Sequence, residues 1–379
     1  MKINVLNPVL YQPYGINNSS ADFSLKKNYE TPVSPNFPRT NIISFTSNIK
    51  NIGLPAKNYN LNGKSILITG GTGSLGTALV KELIENYSPK EILVYSRDEY
   101  KQFHMKRKMP KNAPVKFVIG DIRDENALKS AMQKADVVIH TAAMKHVAIC
   151  DENKEEAVKT NFFGTLNVIN AAEESNVQRI ILISTDKAAN ASNFYGQTKR
   201  MAENLFKNAN KFSNGDRLFS VIRMGNILGS RGSVLPLFNE QKKNGELTVT
   251  DKAMTRFFIT PKQAAKQVLS SIEIMRGGEI FIPKLKSTNI MTLAKETAPD
   301  CSIKIIGAGS SEKIHEDLIS DGERKHTYEL SDRYVILPQT KTLDSAKPLP
   351  DDFSYTSSDK KTQFSLDELR SIIKECSEN

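Results

Sequence analysis

The chain has 379 residues, 39% of them hydrophobic and 25% charged, which is the composition of a globular protein large enough for more than one average domain. Its formal net charge is +10 at pH 7, but lysines and arginines are interleaved with acidic residues and form no long basic block, so the charge does not favour a nucleic-acid partner. No apolar run approaches the ~20 residues that span a membrane, so we predict a soluble protein with no membrane partner.

The cysteines bear on the location of the protein and on metal binding. Cys150, Cys301 and Cys376 form no CxxC pair and have no metal-ligand spacing. So few scattered cysteines are typical of a reducing compartment. The N-terminus also lacks the short apolar core of a signal peptide. We therefore predict a cytoplasmic protein with no metal site.

The first 61 residues are rich in Asn, Ser, Pro and Tyr and show no sustained helical or strand periodicity. Prolines are scattered through them from Pro8 to Pro55. This composition is typical of a disordered or loosely attached extension.

A strand, a glycine-rich turn and a helix are predicted next. The apolar run Ser65 to Thr69 leads into glycines at 70, 73 and 76, and an amphipathic stretch from Thr77 to about Asn86 follows. Glycines let the backbone approach a pyrophosphate, and a helix N-terminus favours its negative charge. A simple tight turn is the structural alternative, but the flanking elements favour dinucleotide binding. The residues assigned to the cofactor here are Gly70, Thr72, Gly73, Ser74, Leu75 and Gly76.

The second predicted strand, Glu91 to Tyr95, bears on the choice of cofactor. It is followed by Ser96, Arg97 and Asp98. A positive residue at this strand end accommodates a 2'-phosphate, whereas an acid binds the free ribose hydroxyls. Arg97, assisted by Lys101, therefore favours NADP, while Asp98 is the residue that argues for NAD.

A third strand, Lys116 to Ile119, ends just before Asp121 and Ile122, which we assign to the cofactor site. The Asp121 carboxylate can accept from an adenine amino group. It can instead cap the helix predicted from Glu125 to Gln133.

The fourth predicted strand, Val137 to His140, precedes small residues and then two basic ones. Ala142 and Ala143 would let the backbone pack against a cofactor ribose. Lys145 and His146 follow, and point either into the crevice or out to solvent.

The candidate catalytic residues lie between Ile180 and Lys199. The run Ile180 to Ile183 is typical of a buried parallel strand. Ser184, Thr185, Asp186 and Lys187 follow it directly, at the end where a parallel sheet presents its ligand crevice.

Tyr195 and Lys199 form a YxxxK pair on a helix predicted from Tyr195 to Phe206. Residues four apart lie on the same helix face. An ammonium beside a phenol lowers the phenol's pKa, which makes tyrosinate available as a base. A surface Tyr/Lys pair is the structural alternative, and the preceding strand with its polar end favours catalysis.

Two later segments carry arginines suited to an anionic substrate. A sixth strand, Phe219 to Met224, leads into a glycine-bearing loop with Asn226 and Arg231. A second basic loop is predicted at Met254 to Phe257, where Arg256 offers a guanidinium beside an aromatic ring. Either arginine can instead form a structural ion pair. Five strands alternating with helices before this point predict a doubly wound parallel sheet.

Several blocks, in one order from Asn62 to the C-terminus, resemble a known family: TGGTGSLG, YSRDEYKQ, GDIRD, HTAAMKHV, STDKAANASNFYGQTK, RMGNILGSRGSVLPLF and TDKAMTRFFIT. They are similar to the nucleotide-sugar dehydratases of the extended short-chain dehydrogenase/reductase superfamily, above all the inverting UDP-N-acetylglucosamine 4,6-dehydratases of pseudaminic acid synthesis. The resemblance implies an α/β protein, with a doubly wound parallel (Rossmann) sheet and a smaller mixed α/β substrate-binding lobe. It also implies NADP, a UDP-sugar substrate and a homo-oligomer.

The resemblance further implies residue roles. Tyr195, supported by Lys199, would deprotonate the sugar's 4-hydroxyl while hydride passes to NADP. Lys187 would remove the hydrogen from carbon 5, and Asp186 would protonate the departing 6-hydroxyl. Hydride then returns to carbon 6, and protonation of carbon 5 from the opposite face inverts that centre. Further implied substrate contacts are Lys145, His146, Thr185, Asn226, Arg231, Ser233, Val234, Thr255 and Arg256.

A lysine that acts as a base needs a lowered pKa, and we expect Lys145 or Lys199 to supply the electropositive surroundings for Lys187. The family's IGxRPGEK loop departs here to IGAGSSEK, in which Gly309 replaces an arginine. That loss bears on diphosphate binding and on the choice of sugar. A retaining 4,6-dehydratase, a 4-epimerase and a non-catalytic NADP-binding scaffold are the alternatives.

The predicted organisation has four parts. They are a disordered extension at 1–61, an NADP-binding Rossmann domain at 62–226, a substrate-binding lobe at 227–337 with segments that return to the Rossmann domain, and a C-terminal tail and helix at 338–379.

Overall fold

The computed structural model describes residues 50–51, 59–213, 217–309, 311–343 and 347–377. The predicted N-terminal extension therefore lies almost wholly outside the described residues. Within the described ranges, no helix is both long and apolar enough to cross a membrane.

The strands are numbered in chain order. They are β1 (Lys50–Asn51), β2 (Ser65–Thr69), β3 (Glu91–Ser96), β4 (Val115–Ile119), β5 (Val137–His140), β6 (Arg179–Thr185), β7 (Leu218–Met224), β8 (Asn226–Ile227), β9 (Glu246–Val249), β10 (Thr255–Ile259), β11 (Ile280–Pro283), β12 (Lys286–Asn289), β13 (Ser302–Ile305), β14 (Thr327–Glu329), β15 (Arg333–Ile336) and β16 (Lys341–Thr342).

The α-helices are numbered in the same way. They are α1 (Ser74–Asn86), α2 (Glu99–Lys108), α3 (Glu125–Met132), α4 (Val147–Glu152), α5 (Lys154–Val158), α6 (Gly164–Glu173), α7 (Phe194–Phe212), α8 (Val234–Gln241), α9 (Pro261–Ile274), α10 (Ile290–Thr297) and α11 (Leu366–Ser377). A π-helical turn, Lys159–Phe163, joins α5 to α6.

The central sheet has the strand order β14-β15-β11-β7-β6-β5-β2-β3-β4. The seven strands from β11 to β4 are parallel, and β15 and β14 extend the sheet in antiparallel pairing. Strands buried on both faces by crossover helices are continuous apolar runs, as in β2 and β5, where every residue is buried. The predicted doubly wound parallel sheet is confirmed.

The chain reverses its direction of travel through the sheet between β2 and β5. β3 and β4 lie on one side of β2, whereas β5, β6 and β7 continue on the other. Thr69 and His140, the last residues of β2 and β5, are direct neighbours in register. Ligands of doubly wound proteins bind at the carboxyl ends of the strands at such a switch point. The loops that follow these two strands therefore define the site.

A smaller set of elements forms a mixed α/β lobe with its own apolar core. It combines the sheet β12-β10-β8, the parallel pair β13-β9 and the helices α8, α10 and α11. The core contains Leu235, Phe238 and Leu293, and Leu369 of α11 is fully buried in it. The predicted smaller lobe is confirmed, while the chain positions at which the domains divide stay predictions.

One predicted loop is wrong. Met254 to Phe257 was expected to be a basic loop, but Thr255 begins β10, which pairs with both β8 and β12. Successive residues of a strand point to opposite faces of the sheet, so Phe257 and Phe258 place an apolar ring on each face of the small sheet. Both rings are buried. Arg256 favoured a ligand-binding loop, although the residues around it have the alternation of a strand.

Candidate active site

A cavity of about 930 Å³ opens at the carboxyl ends of the parallel strands. It brings together most of the residues that the sequence assigns to cofactor, catalysis and substrate. Those that line it are Gly70, Thr72, Gly73, Ser74, Leu75, Gly76, Ser96, Arg97, Asp98, Lys101, Ile122, Ala142, Ala143, Lys145, His146, Thr185, Lys187, Tyr195, Lys199, Asn226 and Ser233. The other assigned residues, Asp121, Asp186, Val234, Thr255 and Arg256, are not part of its lining.

The glycine turn between β2 and α1 fits a dinucleotide diphosphate. Gly70 has a φ of +65°, and a Cβ there would lie 2.8 Å from Oγ1 of Thr141. A Cβ on Gly76 would lie 2.5 Å from the backbone of Gly71, so the helix starts in close contact with the turn. Gly73 is the N-cap of α1 and has no side chain to occupy the first helical N–H groups. These groups are left to face an anion.

A cation is held beside the same turn. The backbone N–H of Arg231 donates to Oγ of Ser74 at 3.1 Å, and its guanidinium donates to the carbonyl of Thr72. Lys145 donates from Nζ to the carbonyl of Arg231 at 2.7 Å. The resemblance implies Arg231 on the substrate side, whereas in the structure its side chain lies against the predicted cofactor turn.

The residues after β3 form the predicted 2'-phosphate site. The Asp98 carboxylate caps α2 by accepting from the backbone N–H of Lys101 at 2.9 Å. It also lies 2.5 Å from Nζ of Lys101, and these bonds lower its pKa. The Arg97 side chain is 57% exposed and lies 3.5 Å from Asp121. Since Asp98 is engaged by its own helix and by Lys101, Arg97 and Lys101 are the exposed cations at this end of the cavity.

Asp121, which the sequence assigns to the adenine, is bound elsewhere. Its Oδ2 accepts from Nη2 of Arg123 at 2.6 Å, and its Oδ1 accepts from the backbone N–H of Arg123 at 2.9 Å. Arg123 also bonds Glu156 at 2.9 Å. The carboxylate is therefore part of a surface ion cluster outside the cavity lining, and its role toward adenine stays a prediction.

The end of β6 carries a compact hydrogen-bonded group. Oδ1 of Asp186 accepts from Oγ1 of Thr185 at 2.9 Å and from Nζ of Lys187 at 3.0 Å. Oδ2 of Asp186 is buried without a hydrogen-bond partner. Lys187 and Thr185 line the cavity, whereas the Asp186 side chain is only 1% exposed and lies behind them. A buried carboxylate with one unbonded oxygen lowers the stability of the fold. Such a group in a native protein therefore calls for an explanation, of which a catalytic role is one.

The electrostatic surroundings of Lys187 differ from the expectation. Burial lowers its pKa, but the carboxylates of Asp186 and Glu316 outweigh burial and hold the pKa above its ordinary value. Neither Lys145 nor Lys199 is the dominant neighbour, so the predicted electropositive environment is wrong. In the resting site Lys187 is an ammonium ion, and a base role requires that its proton be moved first.

The YxxxK pair also departs from the simple expectation. Burial raises the pKa of Tyr195 to about 12, and the Asp186 carboxylate adds to the rise. Lys187 and a hydrogen bond with Thr185 oppose the rise. Lys199 has its own pKa lowered to about 8 by burial, against the charge of Glu203. The expected lowering of the phenol's pKa by Lys199 is therefore wrong for this state of the site.

Arg256 holds protein backbone and does not face the cavity. Its guanidinium donates to the carbonyls of Lys313 and Ile314, each within 3.0 Å. Its Nε lies 3.8 Å from Glu316. The sequence left a structural ion pair open for this arginine, and that alternative describes what the structure shows.

Two further residues position parts of the site. Asn161 accepts from the backbone N–H of Met144 at 2.8 Å and donates to its carbonyl at 3.0 Å, which fixes the loop after β5. Glu316 is buried and lies 3.4 Å from Lys187. No local pattern marks Glu316, because it is 129 positions from Lys187 in the chain and only the fold brings them together.

Gly309 lies in the loop that departs from the family pattern. Its N–H donates to Oε2 of Glu312 at 3.3 Å, and Glu312 lines the cavity. A Cβ on Gly309 would meet only the Glu312 side chain, at 3.9 Å. This edge of the cavity therefore has open space at Gly309, where the family pattern has an arginine. The Glu312 carboxylate lies next to that space.

Comparison with known proteins places this site in a family. The model of a polysaccharide biosynthesis protein family matches residues 66–338. The inverting UDP-N-acetylglucosamine 4,6-dehydratase of Campylobacter jejuni is 46% identical, over 82% of this chain and 98% of the relative. The UDP-glucose 4-epimerase of Rickettsia bellii is 38% identical, over 75% of this chain and 86% of the relative.

A solved structure agrees with the sequence comparison. Pen from Bacillus thuringiensis is 36% identical to this chain and matches it with a TM-score of 0.78, over 84% of this chain and 99% of its own. The chain therefore belongs to the polysaccharide biosynthesis protein family and, within it, groups with the inverting UDP-N-acetylglucosamine 4,6-dehydratases.

Proposed function

We propose that this protein catalyses the NADP-dependent 4,6-dehydration of UDP-N-acetylglucosamine with inversion at carbon 5. The product would be UDP-2-acetamido-2,6-dideoxy-L-arabino-hexos-4-ulose, an intermediate for surface sugars of the pseudaminic acid type. The observation that carries the proposal is that Thr185, Lys187 and Tyr195 line a cavity shared with the glycine turn, with the Asp186 carboxylate hydrogen-bonded to Thr185 and Lys187 directly behind the lining.

The cofactor that we propose is NADP. When bound, the nicotinamide supplies a hydride acceptor for carbon 4 and a hydride donor for carbon 6. The turn from Gly70 to Gly76 would hold the diphosphate, with the Arg231 guanidinium beside it. Arg97 and Lys101 would hold the 2'-phosphate, as the exposed cations at the end of β3.

Tyr195 is the proposed base for the 4-hydroxyl. It lines the cavity, and most of its side chain is buried. Its phenol has a raised pKa in the structure, so it acts as a base only when further positive charge comes close. Lys199, one helical turn away in the same cavity, and a bound nicotinamide cation are the proposed sources of that charge.

Lys187 and Asp186 are the proposed pair for carbons 5 and 6. Lys187 lines the cavity and removes the proton from carbon 5, which a 4-keto group acidifies. Asp186 supplies the proton for the departing 6-hydroxyl. Because Asp186 lies behind the cavity lining, the Thr185 hydroxyl at 2.9 Å is the group that passes this proton on.

A 4-epimerase is the competing function, because one of the reported relatives carries that name. Epimerisation needs a base at the 4-hydroxyl but no acid and base for carbons 5 and 6. The Thr185, Asp186 and Lys187 group, which is built into the cavity wall, favours dehydration.

The test follows the hydride. UDP-N-acetylglucosamine deuterated at carbon 4 is incubated with the purified protein, and the products are read by NMR. We expect the deuterium in the methyl group at carbon 6, with loss of water. Deuterium that returns to carbon 4 in a 4-epimer would support the epimerase and contradict the proposal.

A further inference from the structure

Glu316 lies behind Lys187, on the side away from the cavity. Its side chain is 2% exposed, and Oε1 is 3.4 Å from Nζ of Lys187. Lys187 lines the cavity, whereas neither Glu316 nor Asp186 does. The amine therefore separates two buried carboxylates from the space where a substrate binds.

The position of Glu316 is fixed by its backbone. Its N–H donates to Oγ of Ser357 at 2.9 Å, and its carbonyl accepts from the N–H of Ser357, also at 2.9 Å. Oγ of Ser357 lies 2.7 Å from Oγ1 of Thr255 in β10. The segments around Thr255, Glu316 and Ser357 are distant in the chain and meet here. Together they fix the backbone from which the Glu316 carboxylate reaches Lys187.

The charges around Glu316 leave it only partly compensated. Besides Lys187, the cations that face it are Arg256, 3.8 Å from Oε1, and Lys313, 3.9 Å from Oε2. Asp186 faces it from the end of β6 and repels it. Among the described residues, Oε2 has no hydrogen-bond partner. Burial is the main cause that raises the pKa of Glu316, and Asp186 adds to the rise, while Lys187, Arg256 and Lys313 oppose it.

The base role of Lys187 creates a need for a proton acceptor. An ammonium cannot remove a proton from carbon, so a base role for Lys187 requires that its proton first pass to another group. We propose that Glu316 is a positioning residue for Lys187, which holds the ammonium in the resting site and takes its proton to release the amine as a base. This inference rests on the proposed dehydration, since only that reaction uses a base at carbon 5.

The proton balance closes over the elimination step. A proton first moves from Nζ of Lys187 to Oε1 of Glu316, which leaves a neutral amine and a neutral acid. The amine then takes the proton from carbon 5, and the electron pair of the broken C–H bond forms the enolate of the 4-keto group. The enolate re-forms the ketone and a C5–C6 double bond as the C6–O bond breaks, and Lys187 passes one proton through Asp186 and Thr185 to the departing 6-hydroxyl, which leaves as water. Glu316 then returns its proton to Lys187, which restores the ammonium and the two carboxylates.

The test is the pH profile of the Glu316→Gln variant. Substrates with hydrogen and with deuterium at carbon 5 are compared, so that the isotope effect reports the removal of that hydrogen, and kcat is measured from pH 6 to 9. In the wild-type enzyme the proton moves from Lys187 to Glu316 without exchange with solvent. We therefore expect kcat to change by much less than tenfold per pH unit near neutrality. In Glu316→Gln the ammonium must lose its proton to solvent, so we expect kcat to fall roughly 100-fold at pH 7 and to rise about tenfold per pH unit.

Two further variants separate this role from a structural one. Glu316→Asp keeps a carboxylate, and we expect a lower kcat with the flat wild-type profile. Asp317→Asn removes the neighbouring carboxylate, which bonds Asn190 at 2.9 Å, and we expect both the rate and the profile of the wild type. A Glu316→Gln profile parallel to that of the wild type would overturn the inference.

A second measurement does not depend on turnover. The pKa of Lys187 is followed by NMR of lysine labelled with ¹³C at Cε, with Lys187→Arg to assign the signal. Removal of a buried neighbouring negative charge is expected to lower this pKa by roughly 1–3 units in Glu316→Gln. An unchanged pKa would contradict the inference. If Glu316→Gln shows the expected shift in the pKa of Lys187 but the wild-type enzyme does not dehydrate the substrate, the proposed function is contradicted instead.

Discussion

The two sides of the cavity are built in different ways. On the cofactor side, the turn from Gly70 to Gly76 is one contiguous segment between β2 and α1. On the catalytic side, Lys187 depends on Glu316, which in turn depends on Ser357 and Thr255. A local turn tolerates change in the rest of the chain, whereas a site assembled from distant segments requires the whole fold. The cofactor side should therefore be broken by local steric changes, and the catalytic side by changes of charge.

The largest effect is expected on the catalytic side. Lys187→Met removes the proposed base, and we expect kcat for dehydration to fall roughly 10³–10⁴-fold while the nicotinamide cofactor stays bound. Lys304→Met, on an exposed lysine of β13, is the matched control and should keep the wild-type rate. Dehydration at the wild-type rate in Lys187→Met would remove this residue from the mechanism.

The cofactor side is tested by a pair of glycines. Gly70→Ala adds a Cβ that overlaps Thr141 and Ala142, whereas Gly63 has a similar φ of +73° with nothing within 4 Å of a Cβ. Gly63→Ala should therefore lower the free energy of unfolding by about 1–2 kcal/mol, from backbone strain alone. Gly70→Ala should cost a further ~1–3 kcal/mol from overpacking and should also lose the bound cofactor.

Chemical denaturation and the absorbance of the released cofactor measure these two effects. Equal losses of stability in the two variants, with the cofactor retained in both, would show that the turn is not shaped for a ligand.

The choice of cofactor depends on charge at the end of β3. Arg97→Ala should weaken NADP binding roughly 10–100-fold and leave NAD binding nearly unchanged, because a charge-assisted hydrogen bond is worth ~1.5–3 kcal/mol. Titration calorimetry with both dinucleotides measures the difference, and Arg107→Ala on the outer part of α2 is the control. Equal losses for NAD and NADP would contradict a 2'-phosphate role.

The smallest effect is a dependence of stability on pH. Burial lowers the pKa of Lys199 to about 8 in the folded protein from 10.5 in the unfolded chain. Between these values the unfolded state binds more protons, so this group makes the wild type more stable as the pH rises above 8. Relative to Lys199→Met, the gain from pH 8 to pH 9 should be ~1 kcal/mol.

Urea unfolding of both proteins at these two pH values measures this gain. A difference between the proteins that does not change with pH would contradict a buried lysine with a lowered pKa.

The contrast between the two sides also explains what the sequence could predict. Gly70, Gly73 and Gly76 come after a strand and run into the start of α1, so the strand, the glycine spacing and the helix together located this turn at the cavity, and its role toward a phosphate stays a prediction. Ser184 to Lys187 follow a buried strand, so the cavity residues Thr185 and Lys187 were also found. Both are local patterns, and the fold class follows from the alternation of such strands and helices.

What could not be predicted depends on long-range contacts. The raised pKa of Lys187 depends on the adjacent Asp186 and on Glu316, which is 129 positions along the chain, and no periodicity reports the contact with Glu316. Arg256 looked like a ligand residue because its backbone partners at Lys313 and Ile314 are invisible in the sequence. Burial, which raises the pKa of Tyr195, is likewise a property of the assembled cavity.

The stereochemistry at carbon 5 is the most direct test of the central claim. The purified protein is incubated with UDP-N-acetylglucosamine in deuterated water, and the sugar is followed by proton NMR. The account predicts a 4-keto-6-deoxy sugar with deuterium at carbon 5 and the coupling pattern of the L-arabino ring. A product with the D-xylo pattern, or a 4-epimer that has lost no water, would contradict it.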